Sequence, residues 1–116
     1  MLLRLVTAAT LSTLVGASTY SSASLAEVFV VDQHDKSFVI NGKTVDKLQI
    51  KNGDTIRFKN EDPFFHNIFS LSDLKTFDLG SFPKGEYKDV VFDKSGVVEV
   101  ECAIHPQMYL EVTVLK

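Results

Sequence analysis

Short stretches in which apolar and polar residues alternate dominate the chain from residue 28 onward. Within residues 45–51, for example, Leu48 and Ile50 would share one side of an extended strand, and the polar Lys47, Gln49 and Lys51 would share the other. Such alternation is typical of half-buried β-strands. Turn-forming pairs such as Asn41-Gly42 and Ser95-Gly96 separate the stretches. The pattern predicts strands over residues 28–32, 38–40, 45–51, 55–60, 65–71, 87–92, 97–102 and 109–115, with a loop over 72–87.

These elements predict an all-β fold, because no segment of ten or more residues combines helical spacing with helix caps. Seven to eight short strands with half-polar faces indicate an antiparallel Greek-key β-sandwich. Alternation also predicts that Cys102 points inward with Val98 and Val100, at the very end of its strand. For His66 the buried side is ambiguous, because both faces of its stretch carry large apolar residues.

The N-terminal segment, residues 1–26, is typical of a secretory signal peptide. A basic start at Arg4 is followed by an uncharged apolar stretch and then by small residues that end at Ala26. The apolar stretch is short and rich in Ser and Thr, which disfavours a membrane span; an uncleaved anchor is the alternative. We expect cleavage after Ala26, with Ala23 as a second possibility. A single domain, residues 27–116, would then be exported to the periplasm without a membrane span.

The charge of the chain excludes one class of partner. There are 12 Lys and Arg against 15 Asp and Glu, a net charge of −3, and removal of Arg4 would leave 11 against 15, or −4. Nucleic-acid binding proteins need a clustered basic excess. We therefore expect no nucleic-acid partner.

The sequence has one cysteine, Cys102, and a lone thiol in an exported protein needs an explanation. It could be a buried inert residue, it could join two chains, or it could bind a metal. Its neighbours favour the metal, because Cys102, His105 and Met108 form a C-x2-H-x2-M loop between two strands, and His66 lies 36 residues before the cysteine.

A thiolate, two imidazoles and a thioether are the ligand set of type 1 (blue) copper sites. Each residue taken alone has a simpler interpretation, as a packed core or loop residue. Together they predict one copper ion, Cu(I) or Cu(II), bound by His66, Cys102, His105 and Met108. Zinc is the rival ion, but structural zinc takes four strong ligands and a thioether is a poor one.

Two segments resemble the cupredoxin family, in particular its plastocyanin–amicyanin branch. Phe65-His66-Asn67-Ile68-Phe69-Ser70 is similar to the family's first-histidine segment, and the loop from Cys102 to Met108 has the short spacing of amicyanin. The resemblance covers residues 27–116. It implies a buried His66 and an exposed His105, and it implies that Asn67 ties the two ligand loops together by hydrogen bonds.

The resemblance also implies an apolar docking patch around His105, formed by Phe64, Pro106 and Pro63. We expect a one-electron carrier, monomeric, serving redox proteins such as a cytochrome c or a periplasmic dehydrogenase or oxidase. The alternative is copper storage or delivery. We expect no enzymatic activity, since a four-ligand site leaves no open position for a substrate. His34 is expected to be an exposed turn residue and not a ligand.

Overall fold

The computed structural model describes residues 25–116 together with residues 9, 10, 12, 13 and 16. Most of the predicted signal peptide, residues 1–26, lies outside the described residues, so it stays a prediction. Within the described part of the chain, no helix has the length and apolar character needed to cross a membrane.

Ten strands form within the part of the chain that the structure describes, rather than the seven to eight predicted. Two of them, β3 and β7, are only two residues long and lie in segments whose alternation is too brief to be recognised. The strands are β1 (Val28–His34), β2 (Ser37–Ile40), β3 (Lys43–Thr44), β4 (Lys47–Lys51), β5 (Thr55–Asn60), β6 (Ile68–Ser70), β7 (Phe77–Asp78), β8 (Tyr87–Val91), β9 (Gly96–Cys102) and β10 (Tyr109–Leu115).

The strands build two five-stranded sheets, in the orders β3-β2-β1-β5-β8 and β4-β10-β9-β6-β7. The sheets are mixed, and the prediction of a purely antiparallel sandwich is wrong in this respect. β5 runs parallel to β1, and β4 runs parallel to β10. The cause is the path of the chain, which leaves the first sheet after β3, contributes β4 to the second sheet, and returns as β5 beside β1.

The hydrophobic core lies on the inward faces of the two sheets. Buried and less buried residues alternate along β5 and β10, which confirms the period predicted for both strands. Removing these apolar side chains from water is the main favourable term in folding. The largest fully buried apolar side chains are those of Phe38, Phe58, Phe92, Ile50, Ile56, Ile68, Met108 and Leu110.

The strand predicted over residues 65–71 is shorter in the structure, where β6 begins at Ile68. The residues before it form a loop held by the Asn60 side chain, whose Nδ2 donates to the carbonyl of Phe64 (3.2 Å) and whose Oδ1 accepts from the N–H of Asp62 (2.8 Å). His66 follows this loop and precedes β6, so it lies outside the strand, and it is buried.

Candidate metal centre

Three of the predicted ligands meet at one end of the sandwich. Cys102 Sγ lies 3.7 Å from His66 Nδ1 and 3.7 Å from His105 Nδ1. The two Nδ1 atoms are 3.0 Å apart. These three donor atoms all lie within 4.8 Å of one another, an arrangement that could hold a metal ion.

Strand pairing brings Cys102 and His66 together. Cys102 is the last residue of β9 and pairs with Ile68 at the start of β6. Its side chain is buried, 3 % exposed, which confirms the inward orientation predicted from the alternation. Beyond the paired strands, the N–H of Ala103 donates to the carbonyl of Asn67 (3.0 Å), so that the loop before β6 is tied to the loop after β9.

The resemblance predicted this tie for Asn67, and its backbone provides it. The side chain of Asn67 has another role. With the amide oriented to satisfy its neighbours, Nδ2 donates to Asp78 Oδ1 (3.1 Å) and to the carbonyl of Gly80 (3.3 Å). Asn67 therefore connects the ligand loops through its carbonyl and anchors them to β7 through its amide.

The loop between β9 and β10 carries His105 and Met108. The N–H of Met108 donates to the carbonyl of His105 (2.9 Å), which closes a tight turn. Met108 is 1 % exposed and belongs to the core cluster, whereas His105 is only partly buried. The turn thus places the imidazole near the surface and the thioether in the interior.

A buried carboxylate contacts the far side of the His66 ring. Asp62 Oδ2 lies 2.6 Å from His66 Nε2, and both side chains are almost fully buried. An ionised carboxylate only accepts hydrogen bonds, so Nε2 carries the proton and donates. The unprotonated Nδ1 of His66 then faces Cys102 and His105, as a metal ligand requires.

Asp62 has further partners in the turn between β1 and β2. Its Oδ1 accepts from the N–H of Asp35 (2.8 Å) and its Oδ2 from the N–H of Lys36 (3.2 Å). Burial alone would raise the pKa of Asp62, but the hydrogen bonds from His66 and from these two N–H groups outweigh it and hold the pKa below its usual value.

Sequence reasoning did not identify Asp62. The available signal was an acidic residue four positions before His66, and such spacing brings side chains together reliably only in a helix.

The pKa of His105 is lowered, first by desolvation and then by the positive charges that His66 and Lys36 can carry. A lowered pKa favours the neutral imidazole, which is the form that binds metals. His34, by contrast, is the last residue of β1, next to the turn rather than in it; its side chain is 58 % exposed, as expected, and it lies outside the cluster.

An aromatic side chain covers both histidines. The ring of Phe64 meets His66 edge-on, with centroids 5.3 Å apart, and meets His105 at 5.6 Å. Phe64 is itself 37 % exposed. Pro63, next to Phe64 in sequence, and Pro106, next to His105, are also exposed. The predicted apolar surface near His105 is therefore present.

Comparisons with known proteins address the fold. No family model matches the sequence. No curated protein matches it either. Among solved structures, a reduced amicyanin variant superposes with a TM-score of 0.65 at 22 % identity, over 75 % of this chain and 81 % of that chain. The Cu(I) form of another amicyanin variant at pH 4 gives a TM-score of 0.65 at 23 % identity, over 79 % of this chain and 87 % of that chain.

The chain has the cupredoxin fold. The copper-containing nitrite reductase of Thermus scotoductus also matches, with a TM-score of 0.65 at 25 % identity, over 76 % of this chain but only 22 % of that chain. The fold predicted from the resemblance is confirmed. The binding of a metal by the four predicted residues stays a prediction.

The donor separations at this end of the cupredoxin fold fit a bound ion. Metal–ligand bonds of about 2.0–2.1 Å to imidazole and about 2.3 Å to thiolate, the values for zinc, would let one ion touch donors up to about 4 Å apart. The observed separations of 3.0 and 3.7 Å fall inside that reach. No large rearrangement of His66, Cys102 or His105 is needed to admit an ion.

Proposed function

We propose that the chain is a periplasmic one-electron carrier that holds a single type 1 copper ion. The observation that supports this proposal most directly is the convergence of His66, Cys102 and His105 within 4.8 Å in a cupredoxin fold. A thiolate with two imidazoles, completed by a weak axial thioether, suits both Cu(I) and Cu(II). We assign the thioether to Met108.

The surroundings of the cluster support electron transfer rather than substrate turnover. Asp62, Phe64 and the paired strands hold the donors from several sides, so the geometry would change little between oxidation states. A small change of geometry allows rapid electron exchange. The partly buried His105 brings one donor close to solvent, where an electron could enter or leave.

The proposed docking surface is the apolar patch around His105, formed by Pro63, Phe64, Ile104 and Pro106. All four are exposed, and Ile104 reaches 54 %. The loop that contributes Ile104 and Pro106 has no Lys, Arg, Asp or Glu between Cys102 and Met108. One charge lies beside the patch, the Lys36 ammonium 5.7 Å from the centre of the Phe64 ring. A surface that is mainly apolar and carries few charges suits brief contacts with another redox protein, such as a c-type cytochrome or a periplasmic dehydrogenase or oxidase.

Copper binding is tested by adding Cu(II) to the metal-free protein and recording its visible spectrum. We expect an intense blue colour, because charge transfer from the Cys102 thiolate to Cu(II) absorbs visible light. Cys102→Ala should abolish the colour and leave the circular dichroism of the β-sandwich unchanged. A blue Cys102→Ala protein would contradict the ligand assignment.

Electron carriage is tested by two rates measured on the copper-loaded protein. We expect fast self-exchange between the oxidised and reduced forms and very slow loss of Cu(I) to a chelator of moderate affinity. Fast release combined with slow exchange would favour copper storage or delivery instead.

A further inference from the structure

We propose that Asp62 is a positioning residue of this centre, which orients His66 Nδ1 toward the metal and favours the oxidised state through its negative charge. This inference rests on the proposed copper function, and one arm of its test uses the metal-free protein. Among the predicted ligands Asp62 makes its hydrogen bond to His66, and its charge also acts on His105 at longer range.

The carboxylate is held firmly enough to orient a ring. Its two oxygens accept from three donors: the N–H groups of Asp35 and Lys36 and the Nε2–H of His66. The backbone N–H of Asp62 donates to Asn60 Oδ1 (2.8 Å). With its side chain only 3 % exposed, Asp62 has little freedom to turn away from His66.

The hydrogen bond to Asp62 also selects the tautomer of His66. A neutral imidazole carries one N–H, and a 2.6 Å contact with a carboxylate places that proton on Nε2. The lone pair of Nδ1 is then directed toward Cys102 and His105. Carboxylates that accept from a metal-binding histidine typically raise the basicity of the ligand, and their loss costs about 10–100-fold in metal affinity.

The charge of Asp62 acts in a poorly screened environment. Buried charges interact more strongly than exposed ones, because little water lies between them. A negative charge one imidazole ring away from the ion stabilises Cu(II) more than Cu(I). Asp62 is faced by His34 at the end of β1, whose Nδ1 lies 4.0 Å from Asp62 Oδ1, and by the N–H groups of Asp35 and Lys36 in the turn that follows.

The chain offers a matched control in Asp54. This carboxylate is also buried, 4 % exposed, and also accepts two backbone hydrogen bonds, from Glu27 (2.9 Å) and Lys51 (2.7 Å). It precedes β5, whereas Asp62 follows it, so the two lie at opposite ends of the strand. Asp54→Asn should therefore reproduce the loss of stability without the effect on the centre.

The first arm measures the reduction potential of the copper-loaded variants at one neutral pH. For Asp62→Asn we expect the Cu(II)/Cu(I) equilibrium to shift about tenfold toward Cu(I), which is about 59 mV for one electron. Cu(II) affinity should fall by about 10–100-fold. Asp54→Asn should leave both unchanged, and Asp62→Glu, which keeps the charge, should shift the potential less than Asp62→Asn. Equal potentials in wild type and Asp62→Asn would overturn the proposal.

The second arm uses nitrogen-15 NMR of the histidine rings in the metal-free protein, which reports the tautomer directly. We expect His66 to carry its proton on Nε2 in the wild type and to populate the Nδ1–H form in Asp62→Asn. A wild-type His66 protonated on Nδ1, or an unchanged tautomer in the variant, would refute the orienting role. If Asp62→Asn does not fold, Asp62→Ser, which also removes the charge, carries the same expectations.

The two arms separate the failure of this inference from that of the proposed function. A wild-type protein that stays colourless with Cu(II) would remove the copper assignment, and the NMR arm would still decide whether Asp62 orients His66. A blue protein whose reduction potential and His66 tautomer are unchanged by the substitution of Asp62 would leave the copper assignment intact and contradict the inference.

Discussion

Replacing Asn60 by alanine should destabilise the domain strongly, because one side chain makes three hydrogen bonds in the interior. Its Nδ2 donates to the carbonyls of Phe64 (3.2 Å) and Phe82 (2.9 Å), and its Oδ1 accepts from the N–H of Asp62 (2.8 Å). Asn60 is 1 % exposed, so water cannot readily replace the lost partners.

The magnitude follows from these contacts. Each hydrogen bond contributes about 0.5–1.5 kcal/mol net, and a buried group left without a partner costs about 1–3 kcal/mol. Three contacts with partial relaxation give a loss of about 3 kcal/mol in the free energy of unfolding. For a domain of this size the midpoint of thermal unfolding should fall by about 12–24 °C, at about 4–8 °C per kcal/mol.

The assay is urea and thermal unfolding of the metal-free protein, followed by circular dichroism. Asn52→Ala is the control, because Asn52 is an exposed asparagine in the turn between β4 and β5, and its change should stay within about 0.5 kcal/mol. A loss below about 1 kcal/mol for Asn60→Ala would refute the argument that this side chain holds the loop before His66.

Two further predictions concern the proposed copper protein. Met108→Leu, a volume-conserving change at a site 1 % exposed, should lower the free energy of unfolding by less than about 1.5 kcal/mol. The variant should keep the blue colour and have a higher reduction potential, measured by cyclic voltammetry. An unchanged or lowered potential would contradict an axial role for Met108. Phe64→Ala and Pro106→Glu should slow electron transfer to a partner about tenfold in stopped-flow measurements, and the rate should depend little on ionic strength. The control Val91→Ala, at a position 50 % exposed on β8, should leave the rate unchanged. A steep salt dependence without an effect of the patch variants would place docking elsewhere.

The parts of the site that sequence predicted are those whose information is local. Cys102, His105 and Met108 belong to one short loop, so their grouping needs no knowledge of the fold. The inward direction of Cys102 follows from strand alternation, because Val98 and Val100 occupy the same face and are fully buried. His66 was found by residue type, although the strand around it was predicted three residues too early.

The features that sequence did not predict depend on contacts between distant segments. The parallel pairs β1–β5 and β4–β10 result from where the chain crosses between sheets, and the alternation within a strand does not record this. The loop before the shortened β6 is held by hydrogen bonds from the side chain of Asn60, which belongs to β5. Asp62 meets His66 only because the loop between them folds back in a non-helical path, so their spacing carried no signal.

The turn between β1 and β2 supports the candidate metal centre although it contains none of the predicted ligands. Asp35 and Lys36 both adopt left-handed backbone angles, with φ of 50° and 57°, which costs an ordinary residue about 1–2 kcal/mol. Their N–H groups both reach the Asp62 carboxylate, and the Lys36 ammonium lies 5.7 Å from the centre of the Phe64 ring. Glycine would relieve the backbone strain at Lys36 but would remove the cation that contacts this ring. The strain is therefore offset by contacts on both sides of His66, and a turn that contains none of the predicted ligands helps to determine how rigidly the candidate metal centre is held.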